Sequence, residues 1–142
     1  MQVNNIKTNY FIVTIHNKED LIKQVLDGII FSTKDSIDIT SIICVLDGCS
    51  DNSESIIDTF QTTLPINYSI HKIYQPDVHE LISINSAITY INSIEPNGES
   101  LIFLLQDDVI LEQEQITNLI NLLYQRTPNL GYISFRCGLA TD

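Results

Sequence analysis

Residues Ser41–Ser53 read SIICVLDGCSDNS, and the change of character inside this stretch decides the fold. Ser41–Leu46 is a short apolar run of strand type. It ends in the polar turn Asp47–Ser53, and Ile56, Ile57 and Phe60 mark a short helix behind it. The unit is therefore strand, polar turn, helix, and it repeats outward in both directions. Upstream, Tyr10–His16 (YFIVTIH) is a β-rich run followed by Asn17, which reads as a helix N-cap with acidic residues behind it. Leu21, Ile22, Val25, Leu26, Ile29 and Ile30 then recur at helical spacing. Downstream, Ile66–Tyr74 alternates apolar and polar residues as a half-exposed strand. Leu81, Ile84, Ile88 and Ile91 give a helix face before Pro96.

Leu101–Leu105 (LIFLL) is apolar throughout, as a strand covered on both faces should be. Gln106, Asp107 and Asp108 follow it directly. Ile116, Leu119, Ile120 and Leu123 predict a last helix, and Leu130–Phe135 a last strand. Alternation over the whole length predicts one α/β domain across residues 1–142, a three-layer sandwich with a mostly parallel sheet. Right-handed crossovers put every strand-to-helix turn at the carboxyl edge of such a sheet, where ligands bind. The polar clusters Thr14–Asn17, Asp47–Ser53 and Gln106–Asp108 fall at that edge.

Composition mainly excludes. The chain has 142 residues, with 44% hydrophobic and 18% charged residues, which suits a globular domain rather than a disordered or fibrous one. Seven Lys+Arg against eighteen Asp+Glu leave a net charge of −11. No basic patch can be drawn, so nucleic acid is not an expected partner. No apolar run reaches the length of a membrane span, and the first ten residues lack the features of a secretory signal. Three cysteines with no CxxC spacing fit a reduced, cytoplasmic setting. Dinucleotide, P-loop, serine-hydrolase and zincin motifs are missing from the sequence.

Among residues that carry chemistry, the Asp107–Asp108 pair comes first. Adjacent acids at the end of an apolar strand repel one another unless a cation lies beside them. A divalent ion held by one or two carboxylates, with phosphate oxygens completing its shell, removes that cost. The plainer alternative is a solvated first turn favouring a helix dipole. Asp47 ends its strand in the same way and is placed to accept hydrogen bonds from a base or ribose, the plainer alternative being turn and cap chemistry alone. His16 could equally stack on a base or sit as a satisfied loop histidine. His71 and His79 read as surface residues, and Cys49 as an ordinary small side chain.

Three segments together resemble the family 2 glycosyltransferases. They are Phe11–Glu19 (FIVTIHNKE), Val45–Ser53 (VLDGCSDNS), similar to the family's VDDGSxDxT turn, and Leu104–Ile110 (LLQDDVI), similar to its DxD-bearing strand. Leu81–Ile88 is a weaker match to the helix in which an asparagine precedes a small residue. The resemblance implies a Rossmann-like GT-A fold, a nucleoside-diphosphate sugar donor (a UDP-sugar first) and Mg²⁺ or Mn²⁺. Carried over, Thr14, His16 and Asn17 belong to the base-side turn, Asp47 bonds the base, and Asn85 shapes the pocket. Gln106 and Asp107 line the ribose and phosphate, and Asp108 with Asp107 ligates the metal. The implied activity is inverting transfer of a sugar to an acceptor hydroxyl of a glycan, lipid or protein.

Leu46 and Gln106 replace the first acids of the two motifs, which implies weakened metal and donor contacts. In the family the acceptor pocket and catalytic base come from a C-terminal portion, so no catalytic base is nominated. The expected acceptor portion is missing from these 142 residues. The alternative reading is a non-catalytic or truncated nucleotide-sugar-binding module. A receiver-like signalling domain shares the alternation, but it would want an acidic pair after the first strand, where Thr14-Ile15-His16-Asn17 stands.

Overall fold

A computed structural model describes residues 6–96, 98, 100–127 and 131–132. Among the described residues four strands and four helices alternate: β1 (Thr8–Ile15), α1 (Ile22–Thr33), β2 (Ile39–Asp47), α2 (Ser53–Gln61), β3 (Tyr68–Gln75), α3 (Glu80–Ile94), β4 (Ile102–Gln106) and α4 (Ile116–Arg126). All strand pairings are parallel, in the order β3-β2-β1-β4. The expected α/β sandwich is therefore the observed one, a Rossmann-like three-layer arrangement. Its strand order reverses between β1 and β4, so the crevice at their carboxyl ends is a topological switch point.

Strand alternation divides the core in two. Phe11, Val13 and Ile15 of β1 join Ile42, Cys44 and Leu46 of β2 on one face, under α1, α2 and α4. Tyr10, Ile12, Ile43 and Val45 face the other way, under α3. Phe11 stacks on Phe103 across the β1–β4 pair, with ring centroids 4.3 Å apart, and ties the last strand to the sheet. Helix α1 buries Ile22, Val25, Leu26 and Ile29, the stripe expected from its spacing.

Several expectations are corrected. Strand β4 is not covered on both faces: Phe103 is buried, but Ile102 and Leu104 are 42% and 55% exposed. Helix α3 turns Ser83, Ala87 and Ile91 to the sheet, leaving Leu81 exposed. The small Ser83 and Ala87 let the helix lie close over the bulky Tyr10, Ile12, Ile43 and Val45. Helix α4 buries Ile116, Thr117 and Ile120, while Leu119 and Leu123 stay exposed. Ile66 lies outside β3 and is fully exposed. His71 is half-buried and stacked on Tyr90 at 4.0 Å rather than simply exposed. The expected strand Leu130–Phe135, apart from Gly131 and Tyr132, falls outside the described residues, as does Cys137. Among the described residues no helix is long and apolar enough to cross a membrane.

Candidate functional site

The carboxyl ends of β1, β2 and β4 and the start of α3 enclose a cleft of about 240 Å³, lined by Thr14, Ile15, His16, Asp47, Glu80, Gln106, Asp107 and Asp108. Parallel register builds it. Thr14 sits opposite Gln106 across β1–β4 and opposite Val45 across β1–β2, so the three chains leave the sheet at the same level.

His16 anchors the centre. Its backbone N–H donates to Asp107 Oδ2 at 2.8 Å, and its ring Nδ1–H donates to the Asp47 carbonyl at 2.6 Å. That bond raises the imidazole pKa above its ordinary 6.5; slight desolvation opposes it, and the carboxylates of Asp77, Asp47 and Asp107 reinforce it. The ring is thus a satisfied loop histidine, one of the two readings left open by the sequence, and it lines the cleft. Asp107 is largely enclosed, and burial pushes its carboxyl above the usual carboxylate range. The His16 amide and Lys18, whose Nζ lies 4.0 Å from Oδ1, act against that rise, while Asp108 adds to it. Asp108 itself is exposed at the cleft.

Asp47 does not line the cleft unpartnered. It is 7% exposed, and its Oδ1 and Oδ2 accept the Val78 and His79 amides at 2.8 and 3.2 Å. Its carboxylate therefore binds the β3–α3 turn of its own chain. Asn17 is likewise not a helix cap. With φ of 49° it turns its Oδ1 to the Ser50 and Asp51 amides at 2.7 and 3.2 Å, and α1 begins only at Ile22, without a side-chain cap. Around it, the Lys18 amide donates to Ser53 Oγ and the Glu19 amide to Asp51 Oδ2. The Asn52 amide in turn donates to Glu19 Oε2. The β1–α1 and β2–α2 loops are thereby laced into one platform beside the cleft. Burial alone would raise the Asp51 carboxyl, but hydrogen bonds from Ser53 and from the Glu19 amide bring it below its ordinary value. Cys49 donates to the Ile15 carbonyl at 3.3 Å, and burial pushes its thiol up, away from nucleophilic use.

The structure brings together Thr14, His16, Asp47, Gln106, Asp107 and Asp108. It leaves Asn17 in the adjoining platform and Asn85 on the exposed side of α3, outside the cleft lining. The sequence reading missed Glu80, whose carboxylate accepts Gln106 Nε2 at 3.1 and 3.4 Å, and Lys18 beside Asp107. Glu80 could have been found as the acid in the first turn of α3, the element after the third carboxyl-edge turn.

The chemistry on offer is that of hard oxygen donors. Four carboxylates line the cleft with one histidine and no Lys or Arg. Among the described residues no group of three or more His, Cys, Asp or Glu could hold a metal ion unaided. Two adjacent carboxylates do fit Mg²⁺ or Mn²⁺ when phosphate oxygens and water supply the other positions. No protein-family model and no curated protein matches the chain.

Proposed function

We propose that the chain is the donor-site portion of a metal-dependent, inverting glycosyltransferase of the GT-A type, binding a nucleoside-diphosphate sugar, a UDP-sugar first, in this cleft. The observation that carries the reading is the Asp107–Asp108 pair at the end of β4, across the switch point from Thr14–His16. Open parallel sheets bind nucleotides at that position, and a diphosphate approaching four carboxylates needs a cation between. Asp108, exposed, and Asp107, fixed by the His16 amide, are the groups that would hold Mg²⁺ or Mn²⁺. When bound, the cation supplies Lewis-acid stabilisation of the leaving diphosphate. Thr14 and His16 line the base side, and Gln106 offers its amide to ribose. Asp47 and Asn17 hold the turns rather than the ligand.

Calorimetry with UDP tests the reading. Affinity in Mn²⁺ should exceed affinity in EDTA by at least about tenfold, the loss of one charge-assisted contact, and D108N should erase the difference. Equal affinity in EDTA and Mn²⁺ would sink the proposal. UDP binding without sugar transfer or UDP-sugar hydrolysis would favour the non-catalytic module.

A further inference from the structure

The turn between β3 and α3 is held in a conformation that its residues do not adopt by preference. Asp77 has φ of 61° and His79 φ of 109°, both in the positive region that disfavours side chains with a Cβ. Such strain persists only when neighbouring groups enforce it, and the enforcing group is visible. Asp47, buried at the end of β2, accepts the Val78 amide on one oxygen and the His79 amide on the other. Next to it Gly48, at φ of 65°, leaves room for the turn. A Cβ there would stand 2.6 Å from the Asp77 Cβ. One residue beyond His79 the chain enters α3 at Glu80, whose carboxylate meets Gln106 across the mouth of the cleft.

We propose that Asp47 is a positioning residue, whose carboxylate latches the strained β3–α3 turn and so holds Glu80 against Gln106 at the cleft mouth. Glu80 and Gln106 then form a polar bracket, an acceptor beside an amide, suited to a hydroxyl-bearing part of the ligand such as a sugar or ribose diol. Asp47 acts on that ligand through Glu80 and not by touching it. The ligand half of this inference rests on the cleft being a nucleoside-diphosphate site; the latch does not.

Amide hydrogen exchange on the ligand-free chain decides the latch. In D47N the amide nitrogen of Asn cannot accept, so one of the two turn amides loses its partner. Exchange at Val78 or at His79, whichever amide faces the Asn nitrogen, should quicken at least tenfold, while amides of β1 and β2 keep their wild-type rates. Unchanged exchange at both residues overturns the proposal. Should D47N fail to fold, G48A must produce the same local quickening, because its methyl drives Asp77 away from the latch.

A double-mutant cycle on UDP affinity in Mn²⁺ decides the route. D47N and E80A should each weaken binding, and the double variant should bind no more weakly than the weaker single. Additive losses would show Asp47 reaching the ligand itself and overturn the route through Glu80. Failure of the wild-type chain to bind UDP would defeat the reading of the cleft and leave the exchange result to judge the latch.

Discussion

At His16 a single side chain links the cleft to the acidity of the molecule. The ring is more stable protonated in the folded chain, chiefly through its bond to the Asp47 carbonyl, so its folded pKa lies above 6.5. Stabilisation from this residue is fully present below pH 6.5 and is lost as pH rises through the folded pKa. Urea denaturation across that window should show the wild type losing stability with rising pH and H16Q losing less. An NMR titration placing the ring at or below 6.5 would contradict this. The residue scale is also where the sequence was least legible. Asn17 has the right type and place for a helix cap, yet its acceptors serve amides 33 and 34 residues away. Asp47 similarly binds amides 31 and 32 residues away. Local spacing carries no signal of such partners, because they exist only once the parallel sheet has brought the turns together.

Elements were legible wherever a large apolar stripe coincided with the buried face. Ile22, Val25, Leu26 and Ile29 define α1 in the sequence and in the core. On α3 the stripe of large residues and the buried face differ, since Ser83 and Ala87 are chosen for closeness and not for bulk. Strand β4 is apolar on both sides, and composition alone could not tell that Phe103 and Leu105 meet a covering layer while Ile102 and Leu104 do not. Closeness also governs α1 at Gly28, where an added Cβ would lie 2.9 Å from both the backbone N and O of Leu111. Alanine gains about 1 kcal/mol of helix propensity over glycine. Overpacking against backbone costs about 1–3 kcal/mol, and Leu111 can retreat only by shifting the segment behind Asp107 and Asp108. G28A is therefore expected to lower stability by about 1 kcal/mol net, measured as a reduced urea midpoint. A raised midpoint would show that the loop yields freely.

For the whole molecule the carboxyl-edge rule was the most legible feature, since the three stretches it picked out hold seven of the eight cleft residues, all but Glu80. The net charge of −11 makes a further prediction at this scale. An anionic nucleotide is repelled at long range, and salt screens charges beyond about 8 Å at physiological strength. Association of UDP in saturating Mn²⁺ should quicken as NaCl is raised from low to physiological levels, the reverse of a basic nucleotide-binding surface. A rate that falls with salt would mean that local cation charge dominates even the approach. The two outer strands among the described residues, finally, differ in kind. On β3, Lys72 bridges Glu54 and Asp58 at 2.9 and 2.5 Å, and Tyr74 donates to Glu54, so that strand is tied to α2 by a charge network. On β4, Ile102 and Leu104 lie bare. Those two side chains lie on the α3 face of the sheet, level with Tyr10 and Ile12, where the helix does not reach them.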